Sequence, residues 1–386
     1  MRIPVLIIGA VLLLYGFMNY YVGLRGWQAF GRLLPGAGVI YWGLVIFAAI
    51  SVFLGAFLGN RGLLPGRLGD WVTFTGYYWL PLILYLFIAV VALDILRFLD
   101  RRLHLAPDGI VINPAAAGAA VLLLAVGLIL YGAWNAAYNT QTRHFDLVID
   151  KNAANLDELQ VVLVSDIHMG KVVDSGRIKR LVDRINSLNP DLIVIPGDII
   201  DGNLAPYIDE NIGDILAELK AEYGIYAVFG NHDYIGGIDT ESQRLLREAG
   251  IMVLRDEYQL VAGSFYIAGR EDISASRFGG STRKPLREIV ADTDPAKPLI
   301  LLDHQPFNLD EGRKNGVDLQ LSGHTHHGQF FPINLITGRL YEKDWGYLEK
   351  DGAQLVVSCG YGTWGPPLRI GSVSEIVTLT VKFNNF

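Results

Sequence analysis

Four stretches of about twenty apolar residues dominate the first third of the chain: about Ile3–Val22, Gly38–Gly59, Trp71–Leu93 and Ala115–Tyr138. Short polar stretches carrying arginines separate them. A helix needs about 20 mostly apolar residues to cross a bilayer core, so the pattern predicts four transmembrane helices within residues 1–139. The first stretch alone has the form of a signal peptide, but three further spans and the lack of a small-residue cleavage site argue against that reading. Pro81 lies inside the third span, where neighbouring helices can satisfy the freed carbonyl. Trp27, Trp71, Tyr77, Tyr78, Trp134 and Tyr138 lie near predicted ends, as interfacial aromatics do. Asp94 is expected to mark the end of the third span, with Arg97 one turn on.

After residue 140 the pattern changes to short strands alternating with amphipathic helices. Val161–Val164, Leu192–Ile195 and Ile225–Phe229 are β-branched or aliphatic runs of buried-strand length. Ile178, Leu181, Val182, Ile185 and Leu188 mark a helix over Ser175–Leu188, with Ser175 as its N-cap and Asn189-Pro190 as its stop. Asn211–Tyr223 reads as a second helix ending at Gly224, and Glu241–Ala249 as a third. Leu299–Leu302, Leu319–Leu321 and Glu375–Lys382 read as further strands. The order is β-α-β-α-β and then mostly β. It implies a layered α/β domain with a largely parallel first sheet and a more mixed second one.

Charge sharpens the boundary. Residues 1–139 hold eight arginines, four aspartates, no lysine and no glutamate, a net of +4, which leaves −11 of the chain's −7 to residues 140–386. Such a break separates lipid from water as solvent and divides the chain into 1–139, a transmembrane region, and 140–386, a soluble domain. Charged residues make up 18% of the chain, against about 25% in soluble proteins. An acidic chain with no Lys/Arg-rich run is not a basic nucleic-acid binder. A single cysteine, Cys359, excludes an internal disulfide and a cysteine-based zinc finger. The Arg97–Arg101–Arg102 cluster is expected in the cytoplasm by the positive-inside tendency, with Arg61 and Arg67 pulling the other way. Four spans then place the C-terminal domain outside.

Five predicted strands each run into a polar cluster. These are Ser165-Asp166-Ile167-His168, Gly197-Asp198-Ile199-Ile200-Asp201, Gly230-Asn231-His232-Asp233, Asp303-His304 and Gly323-His324-Thr325-His326-His327. Ligands bind outside the carboxyl ends of strands in open α/β sheets, so the clusters converge. Asp166 and His168, two apart, face the same way on an extended strand end, and His324 and His326 repeat that spacing. Carboxylate, imidazole and amide oxygen suit Mn, Fe or Zn better than Ca or Mg. Any one cluster alone is more often a turn or a surface pair. Five in order, each after an apolar strand, are not coincidence.

This order of motifs over roughly 160–386 resembles the calcineurin-like metallophosphoesterases. The stretches His324–Gln329 and Gly360–Arg369 look like the membrane-associated bacterial branch, where Gly usually stands at the position of His327. The resemblance implies a layered α/β/β/α domain and a dinuclear centre of two divalent or trivalent transition metal ions. Asp166, His168, Asp198 and His326 would hold one ion, and the bridging Asp198 with Asn231, His304 and His324 the other. His232 would protonate the leaving oxygen and Asp201 would orient His232. Gly202 stands where phosphoprotein phosphatases have arginine, which argues against a phosphoprotein substrate. The reaction implied is hydrolysis of a phosphomonoester, phosphodiester or pyrophosphate bond by an activated water. The membrane half suggests a lipid or lipid-linked substrate in the bacterial cytoplasmic membrane, with an anchored domain acting on soluble phosphoesters as the alternative. A non-enzymatic membrane sensor or scaffold on the same fold would show a missing ligand, and none is missing. Transport lacks buried charges or broken helices beyond Pro81. Asp233 is expected to cap a turn or support a ligand, and Asp303 to be structural. Cys359 is expected to be a small buried hydrophobe. Arg283, Lys284 and Arg287 are expected on a solvated helix face, and His144 beside the membrane. Gly360–Leu368 reads as either a rim loop or a plain connection.

Overall fold

The computed structural model describes residues 2–55, 66–104, 113–235, 237–279 and 282–384. Arg61, Asp108, the far end of the second apolar stretch and the side chain of Arg2 lie outside the described residues. The chain divides into two compact units, 1–133 with 365–367, and 134–364 with 368–386.

In the first unit, α1 (Arg2–Phe30), α2 (Gly38–Leu54), α3 (Gly66–Leu103) and α4 (Pro114–Tyr138) follow the four apolar stretches, and α4 runs on into the second unit. Three of the described helices are long and apolar enough to cross a membrane: Leu6–Leu33, Gly66–Leu103 and Pro114–Tyr138. The second predicted span, Gly38–Gly59, is corrected. Its described helix has 17 residues, about 26 Å at 1.5 Å per residue, short of a core about 30 Å thick. α3 runs past Asp94 to Leu103, and at about 57 Å it outreaches a bilayer core about 30 Å thick, so the helix continues beyond the span end expected at Asp94. Asp94 sits inside the helix, 2.6 Å from Arg25 and 3.6 Å from Arg97, and accepts a hydrogen bond from the Tyr21 hydroxyl. A charged helix position is thus matched by its own partners. Gly76 lets α3 approach α2 closely, since a Cβ there would meet the Val52 backbone, as small residues do between membrane helices.

The second unit contains β1 (Thr140–Ile149), β2 (Glu158–Leu163), α5 (Ser175–Ser187), β3 (Leu192–Pro196), α6 (Ala205–Asp209), α7 (Ile212–Leu216), β4 (Ile225–Val228) and α8 (Asp239–Glu248). It continues with β5 (Met252–Val253), β6 (Glu257–Val261), β7 (Phe265–Gly269), α9 (Leu286–Ile289), β8 (Leu299–Leu302), α10 (Leu309–Lys314) and β9 (Leu319–Ser322). α11 (Asn334–Leu340), β10 (Gly346–Lys350), β11 (Ala353–Val357) and β12 (Ser374–Phe383) complete it. Two six-stranded sheets form, in the orders β1-β12-β2-β3-β4-β5 and β10-β11-β9-β8-β7-β6. In the first, β2, β3, β4 and β5 are parallel, β12 is antiparallel to β2, and β1 is parallel to β12. In the second, β7, β8, β9 and β11 are parallel, and β6 and β10 are antiparallel edges. The second sheet therefore carries as long a parallel run as the first.

The sheets share one apolar core. Leu163, Val194 and Val228 of the first pack in the same cluster as Ile267, Leu302 and Leu321 of the second. On the other side of the first sheet, Ile178, Leu181, Val182 and Ile185 of α5 join Ile193 and Ile195 of β3. Leu286 and Ile289 of α9 join Leu299 and Leu301 of β8. Strand ends on both sheets thus open onto loops that the shared core holds in place.

Two local readings change. The cap of α5 is Asp174, whose carboxylate accepts from Arg177 N at 2.9 Å. Of the helix expected over Asn211–Tyr223 only α7, Ile212–Leu216, forms; Asn211, at φ +51°, is its N-cap and separates it from α6.

Candidate metal centre

The backbone at the strand ends is bent in a specific way. Asp166, His168, Asp198, His324 and His326 all have φ between +48° and +73°. This left-handed region costs a non-glycine residue on the order of 1 kcal/mol or more and persists only where its surroundings enforce it. Asp166 N donates to Gly197 O at 3.0 Å and His168 N to Asp198 O at 3.0 Å, lacing the loop after β2 to the loop after β3. Gly230 and Gly323 clear the space: a Cβ on Gly230 would collide with Asp198 and His304, and one on Gly323 with Asp166 and Ser165.

These bends bring the predicted side chains together. His168 Nε2 lies 3.1 Å from His326 Nε2 and 3.7 Å from Asp198 Oδ2. His326 Nε2 lies 3.4 Å from Asp166 Oδ1. On the other flank of Asp198, His304 Nε2 is 3.3 Å from Oδ2 and 3.2 Å from Asn231 Oδ1. Three sets, Asp166–His168–His326, His168–Asp198–His232 and Asp198–His304–His324, each place one donor atom per residue within 4.8 Å of the others. His168 and Asp198 belong to two sets each. His304 Nδ1 donates to Pro196 O at 2.8 Å, which fixes its tautomer and leaves Nε2 to face Asp198. His232 Nδ1 is 2.9 Å from Asp201 Oδ1, and His232 N donates to Asp198 Oδ1 at 2.8 Å.

The electrostatics follow from crowding. Burial pushes the Asp166 carboxyl up, and Asp198 adds to that. Burial opposes ionisation of Asp198 too, but His304 and His232 outweigh it and hold this carboxyl well below the usual range. Burial likewise opposes charge on His304, yet Asp198 keeps it well above an ordinary histidine. His324 goes the other way, pushed down to about 4 by burial and His304. His326 is pushed well down by burial, His168 and Arg369. The charge that balances Asp198 is therefore supplied by protons on His304 and His232. Neutral imidazoles, buried carboxylates and an amide oxygen are the donors a borderline transition-metal cation takes. The Nε2 atoms of His168 and His326 meet 3.1 Å apart in a buried site, an approach that a cation held by both would satisfy.

Several neighbours acquire definite roles. Asp233, fully buried, accepts from Ile199 N, Ile200 N and Gly230 N at 2.8–3.2 Å, binding the Asp198 loop to the Asn231 loop. Burial and Asp198 push its carboxyl up to about 7. Asp303 is buried and pairs with Arg283 at 2.5 Å and Arg270 at 3.4 Å. Arg283 is thus corrected: it precedes α9 and anchors the Asp303 carboxylate beside His304, whereas Lys284 and Arg287 are exposed. Cys359 is buried. His144 lies on β1, bonded to Thr378 at 2.9 Å. Tyr361 N donates to Ser165 O and Gly362 N to Asp166 O, so the Gly- and Pro-rich loop is hooked onto the end of β2. Sequence reading had no role for Arg369, whose guanidinium is fully buried and 3.2 Å from His326 Nδ1.

Residues 159–328 match the family model described as calcineurin-like phosphoesterase. An uncharacterized metallophosphoesterase of Aquifex aeolicus is 37% identical over 58% of this chain and 85% of its own length. One from Campylobacter jejuni is 30% identical over 96% of this chain and 97% of its own. A zebrafish transmembrane protein with metallophosphoesterase domain is 32% identical over 68% of this chain and 62% of its own. The chain belongs to the calcineurin-like metallophosphoesterase family, whose members are metal-dependent phosphoric ester hydrolases.

His327 now has a physical account. It sits at φ +47°, ψ +43°, a conformation glycine adopts freely. The imidazole is held instead by Asp344, 2.9 Å from its Nδ1, and by the Trp345 ring at 4.9 Å. His327→Ala should lose those contacts and keep the strain. His327→Gly loses the same contacts but relieves the strain, so it should be about 1 kcal/mol more stable than the alanine variant. Thermal unfolding of the two variants in detergent checks the order.

Proposed function

We propose that this chain is an integral membrane phosphoesterase with a dinuclear centre. Asp166, His168, Asp198 and His326 hold one cation, and Asp198, Asn231, His304 and His324 the other. The observation that carries it is Asp198, a buried carboxylate with His168 on one flank and His304 on the other, each within 3.7 Å. Two cations there would polarise a phosphoryl group and lower the pKa of a water. The chain's own residues do the rest. His232 holds a proton at neutral pH: burial opposes it, but Asp198 and Asp201 raise its pKa to about 9. Asp201 keeps the Nδ1 side of the ring, so Nε2 is the nitrogen that gives a proton to a leaving oxygen. Gly202 has φ +62° and faces Ile235. An arginine there would be strained, which supports a substrate other than a phosphoprotein. Tethering to apolar helices supports a phosphoester at the lipid surface, a phospholipid head group or a lipid-linked carrier.

The extracytoplasmic placement needs one crossing only. α4 alone separates the Arg97–Arg101–Arg102 cluster from the second unit in sequence. If that cluster is cytoplasmic in a bacterial inner membrane, the catalytic domain is outside whether or not α2 crosses.

Three outcomes are expected. Purified protein reconstituted with Mn, Fe or Zn should carry two ions per chain by elemental analysis, and Asp198→Asn should lose more metal than any other single ligand change. A full metal complement in Asp198→Asn would refute the bridge. His232→Ala should keep its metal and lower turnover about 10²–10⁴-fold, with a smaller loss on nitrophenyl esters, whose leaving group needs no proton. Equal losses on good and poor leaving groups would remove His232 from that role. Alkaline phosphatase fused after Phe386 should be active in bacterial cells, and a fluorescent protein in its place dark. The reverse pattern would put the domain in the cytoplasm.

A further inference from the structure

α11 presents a surface that the proposed chemistry does not use. Leu335, Ile336 and Leu340 are 49, 57 and 67% exposed. At 100° per residue they fall with Arg339 in one arc of about 140°. Thr337, on the other side, donates to Asp344 Oδ2 at 2.8 Å. Phe331 and Trp364 are 47 and 44% exposed. Gln329, two residues before Phe331, exchanges hydrogen bonds of 3.2 and 3.1 Å with the Trp364 backbone. Single exposed apolar residues are ordinary, but Phe331 and three residues of α11, with Trp364 tied in from the loop before β12 through Gln329, form a group that marks a binding surface.

This surface is pinned to the metal centre. Asp344 holds Thr337 and also His327, next to His326. Tyr341, directly after α11, has its ring 6.0 Å from His324 and 4.9 Å from Phe307. The C-terminal end of α11 is therefore joined to His324 through Tyr341, with Phe307 packed beside it.

We propose that α11 and its flanking aromatics are a membrane-interface element, and that the site takes an amphiphilic phosphoester whose chain lies along this face. The bilayer is the occupant for two reasons. The chain carries three helices long and apolar enough to span one, so the domain is never far from lipid. Arg339 stands among the aliphatic residues, where a cation pairs with lipid phosphate while the apolar side chains enter the acyl boundary. The substrate class rests on the phosphoesterase reading; the membrane contact does not.

The test uses the full chain in vesicles of phosphatidylglycerol and phosphatidylcholine. Leu340→Cys is labelled with an environment-sensitive fluorophore, the natural Cys359 being buried. Blue-shifted emission, quenching by nitroxide lipids and protection from iodide are expected. Quenching by iodide would overturn the membrane contact, and so would protection from both quenchers, which would mean a second copy or another protein covers the face. The matched substrates are butyl and hexadecyl phosphate and their nitrophenyl diesters. Wild type should prefer the hexadecyl member of whichever pair it cleaves by at least tenfold in kcat/KM. Leu335→Ser/Ile336→Ser/Leu340→Ser should lose that preference through KM while its butyl activity stays within twofold. No chain-length preference in wild type would overturn the substrate class. No cleavage of any of the four would refute the phosphoesterase reading and leave the fluorophore result standing.

Discussion

Asp166, Asp198 and Asp233 are no more than 2% exposed and lie close enough for Asp198 to push both of the others up. Carboxylates taken out of water in a group repel one another and lose hydration, and something positive must answer them. The chain answers with imidazoles on Asp198, with three backbone N–H groups on Asp233, and with His324 N on Asp166 at 2.9 Å. The left-handed bends, the glycines at 230 and 323 and the crossed strand ends all serve to bring those donors within reach. A fold that sets so much negative charge in one buried place is suited to cations, and the raised proton affinity of His304 and His232 marks where cationic charge would act.

Much of this was legible because the determinants are local. A buried strand followed by a polar cluster is visible in a dozen residues, and β2, β3, β4, β8, β9 and β12 lie where aliphatic runs predict them. The Asp–x–His spacing foretold that Asp166 and His168 share a side. Its stated reason, an extended strand end, is not what holds them there: both residues are left-handed, and neighbouring loop carbonyls fix that conformation.

What was hidden depends on partners distant in sequence. β1 pairs in parallel with β12 over ten residues, yet only Leu147 and Ile149 of it are buried, so no alternation announces it. Arg283 looks like surface charge until Asp303 is placed beside it. Asp94 reads only as the end of a span until α1 supplies Arg25. In the second apolar stretch composition alone suggested a span, but the described helix is just under one turn short of the core.

Arg369 shows how a polar group can be held with no carboxylate in ion-pair distance among the described residues. Its Nη2 donates to Cys359 O at 2.7 Å, Gly360 O at 3.0 Å and Gly362 O at 2.7 Å. Burial lowers its affinity for a proton, with Asp166 and Glu375 opposing. A buried guanidinium is costly unless its donors are used and negative charge is near. The carbonyls take the Nη2 hydrogens, Nε is left without a hydrogen-bond partner, and Asp166 and Glu375 supply the field. The same arrangement sets a fixed positive charge beside His326, which disfavours protonating that imidazole and keeps it in the neutral form a ligand needs. The Gly-rich stretch that sequence left open between rim and connection is therefore the acceptor shell of this arginine. Its glycines are needed because Gly362 lies against the Ile167 backbone and Gly360 against Asp166, where any Cβ would collide.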